Sequence, residues 1–303
     1  MKKIIESVPN FSEGRREEVV LEIVKQAEET DNVWVFDWSM DRDHNRSVVT
    51  VVGEPEGVAE AAFKMAKKAC ELIDLRHHTG AHPRMGAVDV IPFVPIKNSS
   101  MEECVEISKK VGKRIGEELN VPVYLYEKAA TSPERENLSN IRKGQFEGFF
   151  EKIKSPEWTP DFGPHSVHPT AGVVAVGARE YLIAFNVNLR TTDVKIADKI
   201  ARAVRHSSGG YRFVKAMGVE LKEKGMVQVS MNMTNYKKTP LFRVFETIKR
   251  EAQRYGVAVA GSEIIGMIPL DTLVRTMNFY LGIDDFTSER VIENRLLDEI
   301  SRS

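Results

Sequence analysis

The feature that most constrains the fold is an order of secondary structure that occurs twice along the chain. In the second half, alternating and helical apolar periodicities predict the order β-α-β-β-α-β. The segments are 181–189, 194–204, 213–221, 226–233, 240–255 and 257–260. This is the order of the split β-α-β, ferredoxin-like unit. Residues 3–126 fit the same order if 88–95 and the helix after it are an insertion, so the sequence predicts an α+β protein (an α/β sandwich) of two tandem ferredoxin-like subdomains.

Two details of this prediction concern pairing and boundaries. Pro92 and Pro95 predict that the strand over 88–95 lies at a sheet edge or pairs irregularly, because proline donates no ladder hydrogen bond. Residues 128–165 lack clear periodicity and collect Ser, Pro, Glu, Lys and Gly, which is typical of a connection. A chain of 303 residues is long enough for two cores. We therefore expect one domain over 1–165 and a second over 166–303.

Charge and composition narrow the class of partner. The chain has 43 Lys and Arg against 44 Asp and Glu, a net charge of -1, so no global field attracts nucleic acid or an anionic membrane surface. A membrane-spanning helix needs about 20 consecutive apolar residues, and no apolar run in the sequence comes near that length. The N-terminus also lacks the apolar segment of a signal peptide. Cys70 and Cys104 fall on apolar helix faces, as reduced core thiols do. We expect a cytoplasmic protein with a small-molecule partner.

The densest chemical cluster lies between a predicted helix and a predicted strand. Residues 76–86 hold three of the seven histidines, two arginines and two glycines. A solvated turn is the plain interpretation. Pro83, Gly80 and Gly86 nevertheless constrain the backbone on both sides of His82. An imidazole with a pKa of about 6.5 both accepts and returns a proton at neutral pH, so His82 is the candidate general acid and base.

A metal site is the competing interpretation of this cluster. His77, His78 and His82 offer three imidazole nitrogens. Adjacent histidines on one backbone rarely converge on one ion, and the H-E-x-x-H spacing that aligns two imidazoles on a helix is missing. We therefore expect no metal.

Three further segments are candidates for binding. Asn10 and Ser12 follow the first strand and either cap the next helix or present polar groups to a carboxylate. Arg46, after Asn45, opens a strand and is either a surface charge or a bidentate carboxylate ligand. The Gly- and Pro-rich loop over 161–172 is either a plain linker or a lid over a planar ligand.

The sequence resembles the formiminotransferase family (glutamate formimidoyltransferase) along nearly its whole length. It is similar to the formiminotransferase domain of formiminotransferase-cyclodeaminase, without the cyclodeaminase domain, so ammonia release from the product is expected to fall to another protein or to none. The strings that carry the resemblance are VPNFSEG at 8–14, NR at 45–46, HPRMGAVDVIPFVPI at 82–96, VPVYLYE at 121–127, EWTPDFGP at 157–164 and LIAFNVNL at 182–189.

The resemblance implies a reaction of histidine breakdown and one-carbon metabolism. The formimino group of N-formimino-L-glutamate passes to tetrahydrofolate, which gives 5-formimino-tetrahydrofolate and L-glutamate; a formyl group from N-formyl-glutamate is a second possible donor. The resemblance also implies folate in a groove between the subdomains, a homodimer and His82 as the catalytic residue. The folate-contacting loop corresponds to Gly163, Pro164, His165, Ser166, Val167, His168, Pro169, Thr170, Ala171 and Gly172.

The donor's chemistry suggests supporting residues. A protonated amidine calls for a carboxylate or an amide, which Asp37, Asp89 or Asn10 supplies, and Arg46 and Arg84 are the candidates for the substrate carboxylates. Asn186 and Asn188 are further candidates in the last string. Two alternatives remain: a non-catalytic amino-acid- or folate-binding regulatory module, since fold alone does not decide function, and a metal-dependent amidohydrolase.

Overall fold

The chain forms two units, each built on its own β-sheet. The computed structural model describes residues 2–300, except the side chains of Asp298 and Ile300. The strands are β1 (Ile4–Ser7), β2 (Asn10–Phe11), β3 (Val33–Asp41), β4 (Arg46–Gly53), β5 (Val88–Lys97), β6 (Val123–Glu127), β7 (Val174–Ala178), β8 (Ile183–Leu189), β9 (Val214–Leu221), β10 (Met226–Met233) and β11 (Val259–Ile265). The helices are α1 (Glu17–Glu28), α2 (Pro55–Leu72), α3 (Met101–Glu118), α4 (Pro133–Glu136), α5 (Leu138–Arg142), α6 (Gln145–Lys152), α7 (Val194–Val204), α8 (Leu241–Arg254), α9 (Leu270–Leu281) and α10 (Ile292–Ile300).

Tertiary contacts divide the chain after Arg179. The sequence predicts the boundary between residues 165 and 166 instead. The difference comes from β7, which joins the sheet of the first unit by parallel pairing with β5 and β6. No helix within residues 2–300 has the length and apolar character needed to cross a membrane.

The sheet of the first unit has seven strands. From one edge the order is β3, β4, the pair β1 and β2, β5, β7 and β6. Strands β1 and β2 act as two halves of one interrupted strand, because both pair with β4 on one side and with β5 on the other. Neighbours are antiparallel from β3 to β5 and parallel from β5 to β6.

The position of β5 corrects two expectations. It is central, between β1/β2 and β7, and not at an edge. Pro92 is tolerated there because it lies opposite residues 8–9, where the partner strand is interrupted, and its carbonyl accepts a hydrogen bond from Ser7 Oγ at 2.8 Å. Nor is β5 an insertion, because it pairs directly with β1, while β7 and β6 extend the sheet beyond it.

Helices α1, α2 and α3 bury their apolar faces in the core of the first unit, as their periodicity predicts. Pro55 occupies the first turn of α2, where its missing N–H costs nothing. Ser100 and Glu103 form a capping box that fixes the start of α3. Cys104 is buried, Cys70 is half-buried, and both thiols are free. Burial raises the pKa of each thiol to about 12, so neither is a reactive thiolate at neutral pH.

The second unit is a four-stranded antiparallel sheet in the order β11, β8, β10, β9. The buried apolar residues of β8 alternate along the strand and pack against α7 and α8 in one core; they are Ile183, Phe185, Val187 and Leu189. The predicted hairpin of β9 and β10 is present, and Gly225 takes a φ of 57° in its turn. The chain is therefore a mixed α+β protein with two sheets.

Candidate active site

The loop over residues 75–87, which carries His82, rests on the turn between β3 and β4. Ala81 N–H donates to the Asp43 carbonyl at 3.0 Å, and Asn45 Nδ2 donates to the Thr79 carbonyl at 3.0 Å. A Cβ at Gly80 would lie 2.4 Å from the His44 carbonyl oxygen, so only glycine allows this approach. The turn and the loop together bring His82 next to the start of β4.

His82 is half-buried in a positively charged environment. Its ring lies edge-on to the His44 ring at 6.5 Å between centroids. Desolvation first, and then the charges of Arg46 and Arg142 with smaller effects from His44 and His78, lower the pKa of His82 to about 3. Within the described part of the chain no group hydrogen-bonds to this ring. The imidazole is therefore neutral at pH 7, with a lone pair available to accept a proton.

Arg46, at the first position of β4, reaches across to β2. Its Nε donates to Asn10 Oδ1 at 2.9 Å, and its Nη2 donates to the same oxygen. Burial, followed by the charge of Arg142, lowers the pKa of Arg46 to about 10. Asn45, with a φ of 48°, accepts a hydrogen bond from Gly14 N–H on Oδ1. These contacts place the predicted residues Asn10, Asn45 and Arg46 in one cluster.

Arg142 joins this cluster from the end of α5 and is absent from the sequence-based candidates. Its Nε donates to Asp89 Oδ2 at 2.8 Å, and its Nη2 donates to the same oxygen. The other oxygen of Asp89 accepts Met85 N–H at 2.9 Å. The side chain of Asp89 is 3% exposed, so this predicted carboxylate serves as the counter-ion of Arg142.

Arg84 points to the other side of the loop and has no free donor. Its Nε donates to His78 Nδ1 at 3.2 Å, and its remaining N–H groups go to Gln145, to both oxygens of Glu147 and to the His78 carbonyl. Because Nδ1 of His78 is an acceptor, its Nε2 carries the proton and donates to the Asn45 carbonyl at 2.9 Å. Arg84 therefore braces the loop, and the expectation that it holds a substrate carboxylate has no geometric support.

Two further histidines of this loop, His77 and His78, differ in their surroundings. Both ring nitrogens of His78 are engaged as described, and the side chain of His77 is 82% exposed. Among residues 2–300 no group of three or more His, Cys, Asp or Glu is arranged to hold a metal ion.

The role of Ser12 differs from both expectations. Ser12 Oγ donates to the Gly86 carbonyl at 2.7 Å and its N–H donates to the Ala87 carbonyl at 2.9 Å. The N-terminus of α1 is served instead by Glu13 Oε1, which accepts the N–H groups of Arg15 and Arg16. Ser12 therefore fastens β2 to the loop that carries His82.

The loop over 163–172 packs against the loop over 75–87, so two segments singled out by the sequence meet. Leu75 N–H donates to the Thr170 carbonyl and Ala87 N–H to the Ala171 carbonyl, both at 2.9 Å. A Cβ at Gly172, which has a φ of 71°, would lie 2.2 Å from the Met85 carbonyl oxygen. His168 Nδ1 accepts Ala171 N–H at 3.0 Å and tightens the turn.

The two ends of this loop differ in exposure. Val167, Ala171 and Gly172 are buried, whereas Gly163, His165, Ser166 and Pro169 are exposed. Pro164, His168 and Thr170 are half-buried. The exposed positions leave a surface that faces away from the core.

Three remaining candidates lie outside the His82 cluster. Asp37 is exposed on the edge strand β3 and, within the described chain, makes no hydrogen bond to the cluster. Asn186 and Asn188 belong to the second unit, on the face of β8 opposite its helices. There Asn186 Nδ2 donates to Glu263 Oε1 at 3.2 Å and Asn188 Oδ1 accepts from Gln228 at 2.9 Å.

Comparison with known proteins extends over both units. The profile of the formiminotransferase domain, N-terminal subdomain, matches residues 4–179, and that of the formiminotransferase domain matches residues 184–296. The interval between the two matches falls where tertiary contacts divide the chain.

Curated relatives match over nearly the full length. The chain is 53% identical to the glutamate formimidoyltransferase of Streptococcus pyogenes serotype M1, over 98% of this chain and 100% of the relative. It is 47% identical to the glutamate formimidoyltransferase of Thermoplasma acidophilum, over 97% of each. It is 42% identical to the formimidoyltransferase-cyclodeaminase of Mus musculus, of which it covers 58%. The chain belongs to the formiminotransferase family.

Proposed function

We propose that this protein transfers the formimino group of N-formimino-L-glutamate to tetrahydrofolate, which yields 5-formimino-tetrahydrofolate and L-glutamate. The observation that carries the proposal is a neutral His82 next to two guanidinium groups in a chain whose relatives along its whole length are named glutamate formimidoyltransferases. Neither alternative, the regulatory module or the metal-dependent amidohydrolase, is supported by these relatives.

The chemistry requires one proton to move between two nitrogens. As N5 of the folate attacks the amidine carbon, the N5–C bond forms and N5 loses a proton to His82. As the C–N bond to glutamate breaks, His82 returns that proton to the departing nitrogen. A single imidazole that is neutral before the reaction serves both steps. Holding both substrates together contributes further, because attack then becomes effectively unimolecular.

Several finer points form part of the same proposal. The exposed residues of the loop 163–172 would contact the folate, and N-formyl-glutamate would be a second donor. The first unit would supply the catalytic histidine. The strand order of the second unit supports a ferredoxin-like assignment for it. A cytoplasmic homodimer in histidine degradation is the expected setting.

Direct assay tests the reaction. Purified protein is incubated with tetrahydrofolate and either N-formimino-L-glutamate or N-formyl-L-glutamate, and the product folate is identified by mass and absorbance. Formation of 5-formimino-tetrahydrofolate with stoichiometric glutamate supports the proposal. Hydrolysis of the donor to free glutamate without any folate product would identify a hydrolase instead.

Binding of reduced folate is expected to stabilise the protein. A ligand at 100 times its Kd that binds only the native state adds about 2.7 kcal/mol to the free energy of unfolding. Tetrahydrofolate, titrated without the donor, should therefore raise the thermal midpoint and give a calorimetric signal with micromolar affinity. The absence of both effects at millimolar folate would contradict folate as the acceptor.

Chelation is expected to leave transfer unchanged, because His78 has no free ring nitrogen and His77 is exposed. The measurement compares turnover before and after dialysis against a strong chelator, with zinc content determined in parallel. Stoichiometric zinc together with chelator-sensitive turnover would contradict this prediction.

A further inference from the structure

The charges around His82 are not balanced. Arg46 and Arg142 both act on the pKa of His82, and Arg142 also acts on the pKa of Arg46, so the three groups lie within electrostatic reach of one another. Among the residues that the structure describes, Asp89 is the one carboxylate that pairs directly with either arginine. With His82 neutral, Arg46, Arg142 and Asp89 together carry one excess positive charge, and Asp41, whose side chain is 54% exposed, acts on Arg46 by its charge without an ion pair.

The uncompensated positive charge belongs to Arg46. Its acceptor is the neutral amide of Asn10, and within the described residues it forms no ion pair. Its cross-strand neighbour Asp41 is occupied by His44 at 2.9 Å and by the backbone N–H groups of Asp43 and His44. A half-buried guanidinium without a paired counter-ion is incompletely compensated, so an anion supplied by a ligand would be favoured there.

Two buried arginines of the first unit, Arg84 and Arg135, have their positive charges compensated by carboxylates of the same chain. Arg84 holds both oxygens of Glu147, and Arg135 pairs with Asp161 at 2.8 Å. Their carboxylates belong to the chain itself. Neither arginine therefore calls for an anion from outside.

Arg46 and Arg142 each keep one edge free. Each uses Nε and Nη2 on a single oxygen, that of Asn10 or of Asp89, respectively. No described residue accepts from Nη1 of either side chain. Each guanidinium therefore retains donors for an incoming carboxylate oxygen, and charge-assisted bonds of this kind are among the stronger hydrogen bonds in proteins.

The backbone that carries Arg142 is fixed by hydrogen bonds to its carbonyl groups. Lys152 Nζ donates to the carbonyls of Asn140 and Ile141, both at 2.7 Å, and of Lys143 at 3.2 Å, which fixes the end of α5. The following turn is tied to the His82 loop because Phe146 N–H donates to the Arg84 carbonyl at 2.9 Å. The guanidinium is thus positioned before any ligand arrives, which lowers the entropy cost of binding.

We propose that Arg46 and Arg142, rather than Arg84, form the site that binds the carboxylate groups of an acidic amino-acid substrate beside His82. This inference rests on the proposed function, since it assigns the side chains that hold the glutamate part of the donor. The same site would hold free L-glutamate, the product.

The site also links substrate binding to the base. The groups that face His82 are Arg46, Arg142, His44 and His78, and the two arginines are the strongest charges among them. A carboxylate bound to these arginines offsets their field, so the pKa of His82 rises toward neutrality when the substrate is present. A proton acceptor works best when its pKa approaches the working pH. Substrate binding therefore makes His82 a better base.

The first experiment uses charge-conserving variants. Arg46→Lys and Arg142→Lys keep a positive charge but lose the planar donor fork. Each is expected to weaken calorimetric binding of L-glutamate, and to raise KM for the donor, by about 10-fold or more, while tetrahydrofolate binding stays within about 2-fold. Arg76→Lys is the matched control, because Arg76 is exposed in the same loop and pairs with Asp74. Unchanged glutamate affinity in both variants, with native thermal midpoints, would overturn the proposal.

The second experiment needs no variant for its main result. The imidazole of His82, labelled with 15N and assigned through His82→Gln, is titrated by NMR with and without saturating L-glutamate. Its midpoint should move upward with glutamate and by less with L-norvaline, which keeps the α-carboxylate but has a methyl group in place of the side-chain carboxylate. An unchanged titration midpoint of His82 in the presence of glutamate would refute the coupling between substrate binding and the pKa of His82. If glutamate binds in this way while no transfer to folate occurs, the proposed reaction fails and the carboxylate site stands.

Discussion

Replacing His82 with alanine is expected to lower kcat by about 10² to 10⁴ while tetrahydrofolate affinity changes little, because the lost group acts mainly in the transition state. Steady-state kinetics and calorimetric folate binding on the same preparation separate the two effects. The side chain makes no hydrogen bond within residues 2–300, so its removal strands no partner and the fold should survive.

The pH dependence of stability gives the substitution a second readout. His82 has a pKa of about 3 in the folded protein against about 6.5 in an unfolded chain, so between these values the unfolded state binds more protons. The contribution of His82 to the free energy of unfolding is therefore complete above pH 6.5 and is lost as the pH falls toward 3. Urea unfolding at pH 7 and pH 4.5 should show a smaller loss for His82→Ala than for the wild type.

His77→Ala is the matched control for catalysis. His77 lies in the same loop, but its side chain is 82% exposed and its nearest ionic contact, Asp74, is 4.0 Å away. Its removal should leave kcat within about 2-fold. Near-wild-type turnover in His82→Ala, or equal losses in the two variants, would show that His82 does not carry the proton. Asp89 and the loop over 163–172 would then be examined first.

Local patterns made much of this architecture predictable. The second unit follows the predicted order because each of its segments has one clear periodicity, and Gly225 marks the turn of the hairpin between β9 and β10. The loop over 76–86 was recognisable because its density of His, Arg and Gly contrasts with the apolar segments around it. Asn10 and Arg46, which the sequence offers as separate candidates, are joined by a hydrogen bond at 2.9 Å.

Features that depend on distant pairing escaped prediction. Strand β7 is a short, small-residue run whose strand character comes from β5 and β6, to which it pairs in parallel. Pro92 predicted an edge position for β5. A central strand tolerates this proline because residues 8–9, which lie opposite it, interrupt the neighbouring strand, and that pairing is not visible in the local sequence. Arg142 lies in no recognisable motif, and its position near His82 becomes apparent only from its ion pair with the buried Asp89. The contact of Arg84 with Glu147 escaped prediction because the two residues lie far apart in the sequence.

Asp161→Ala is expected to lower the free energy of unfolding by about 3 kcal/mol or more, because removal of one partner strands a buried charge. Arg135 and Asp161 are 7% and 9% exposed at the side chain. Asp161 also accepts Leu125 N–H at 2.7 Å and the Thr131 hydroxyl at 2.6 Å, so three donors lose their acceptor. Urea or thermal unfolding measures the loss, which corresponds to roughly 6–12 °C in Tm for a domain of this size.

Two comparisons decide whether the stranded charge is the cause. Glu151→Ala removes one partner of an exposed ion pair with Lys154 and should cost less than about 1 kcal/mol. The double variant Arg135→Met with Asp161→Leu removes both charges and should be more stable than Asp161→Ala alone. If instead the double variant is the less stable one, the loss comes from packing and backbone contacts.

The same ion pair also affects the position of the loop over 163–172, which we propose contacts folate. Asp161 N–H donates to the Val123 carbonyl at 2.9 Å, and Arg135 donates to the carbonyls of Glu157 and Thr159. These bonds fasten the segment before Gly163 to β6 and α4, so they set where the loop over 163–172 begins. Asp161→Ala should therefore weaken tetrahydrofolate binding even where the protein remains folded, whereas Glu151→Ala should not. Equal folate affinity in the two variants would mean that contacts of the loop with Leu75 and Ala87 position it unaided.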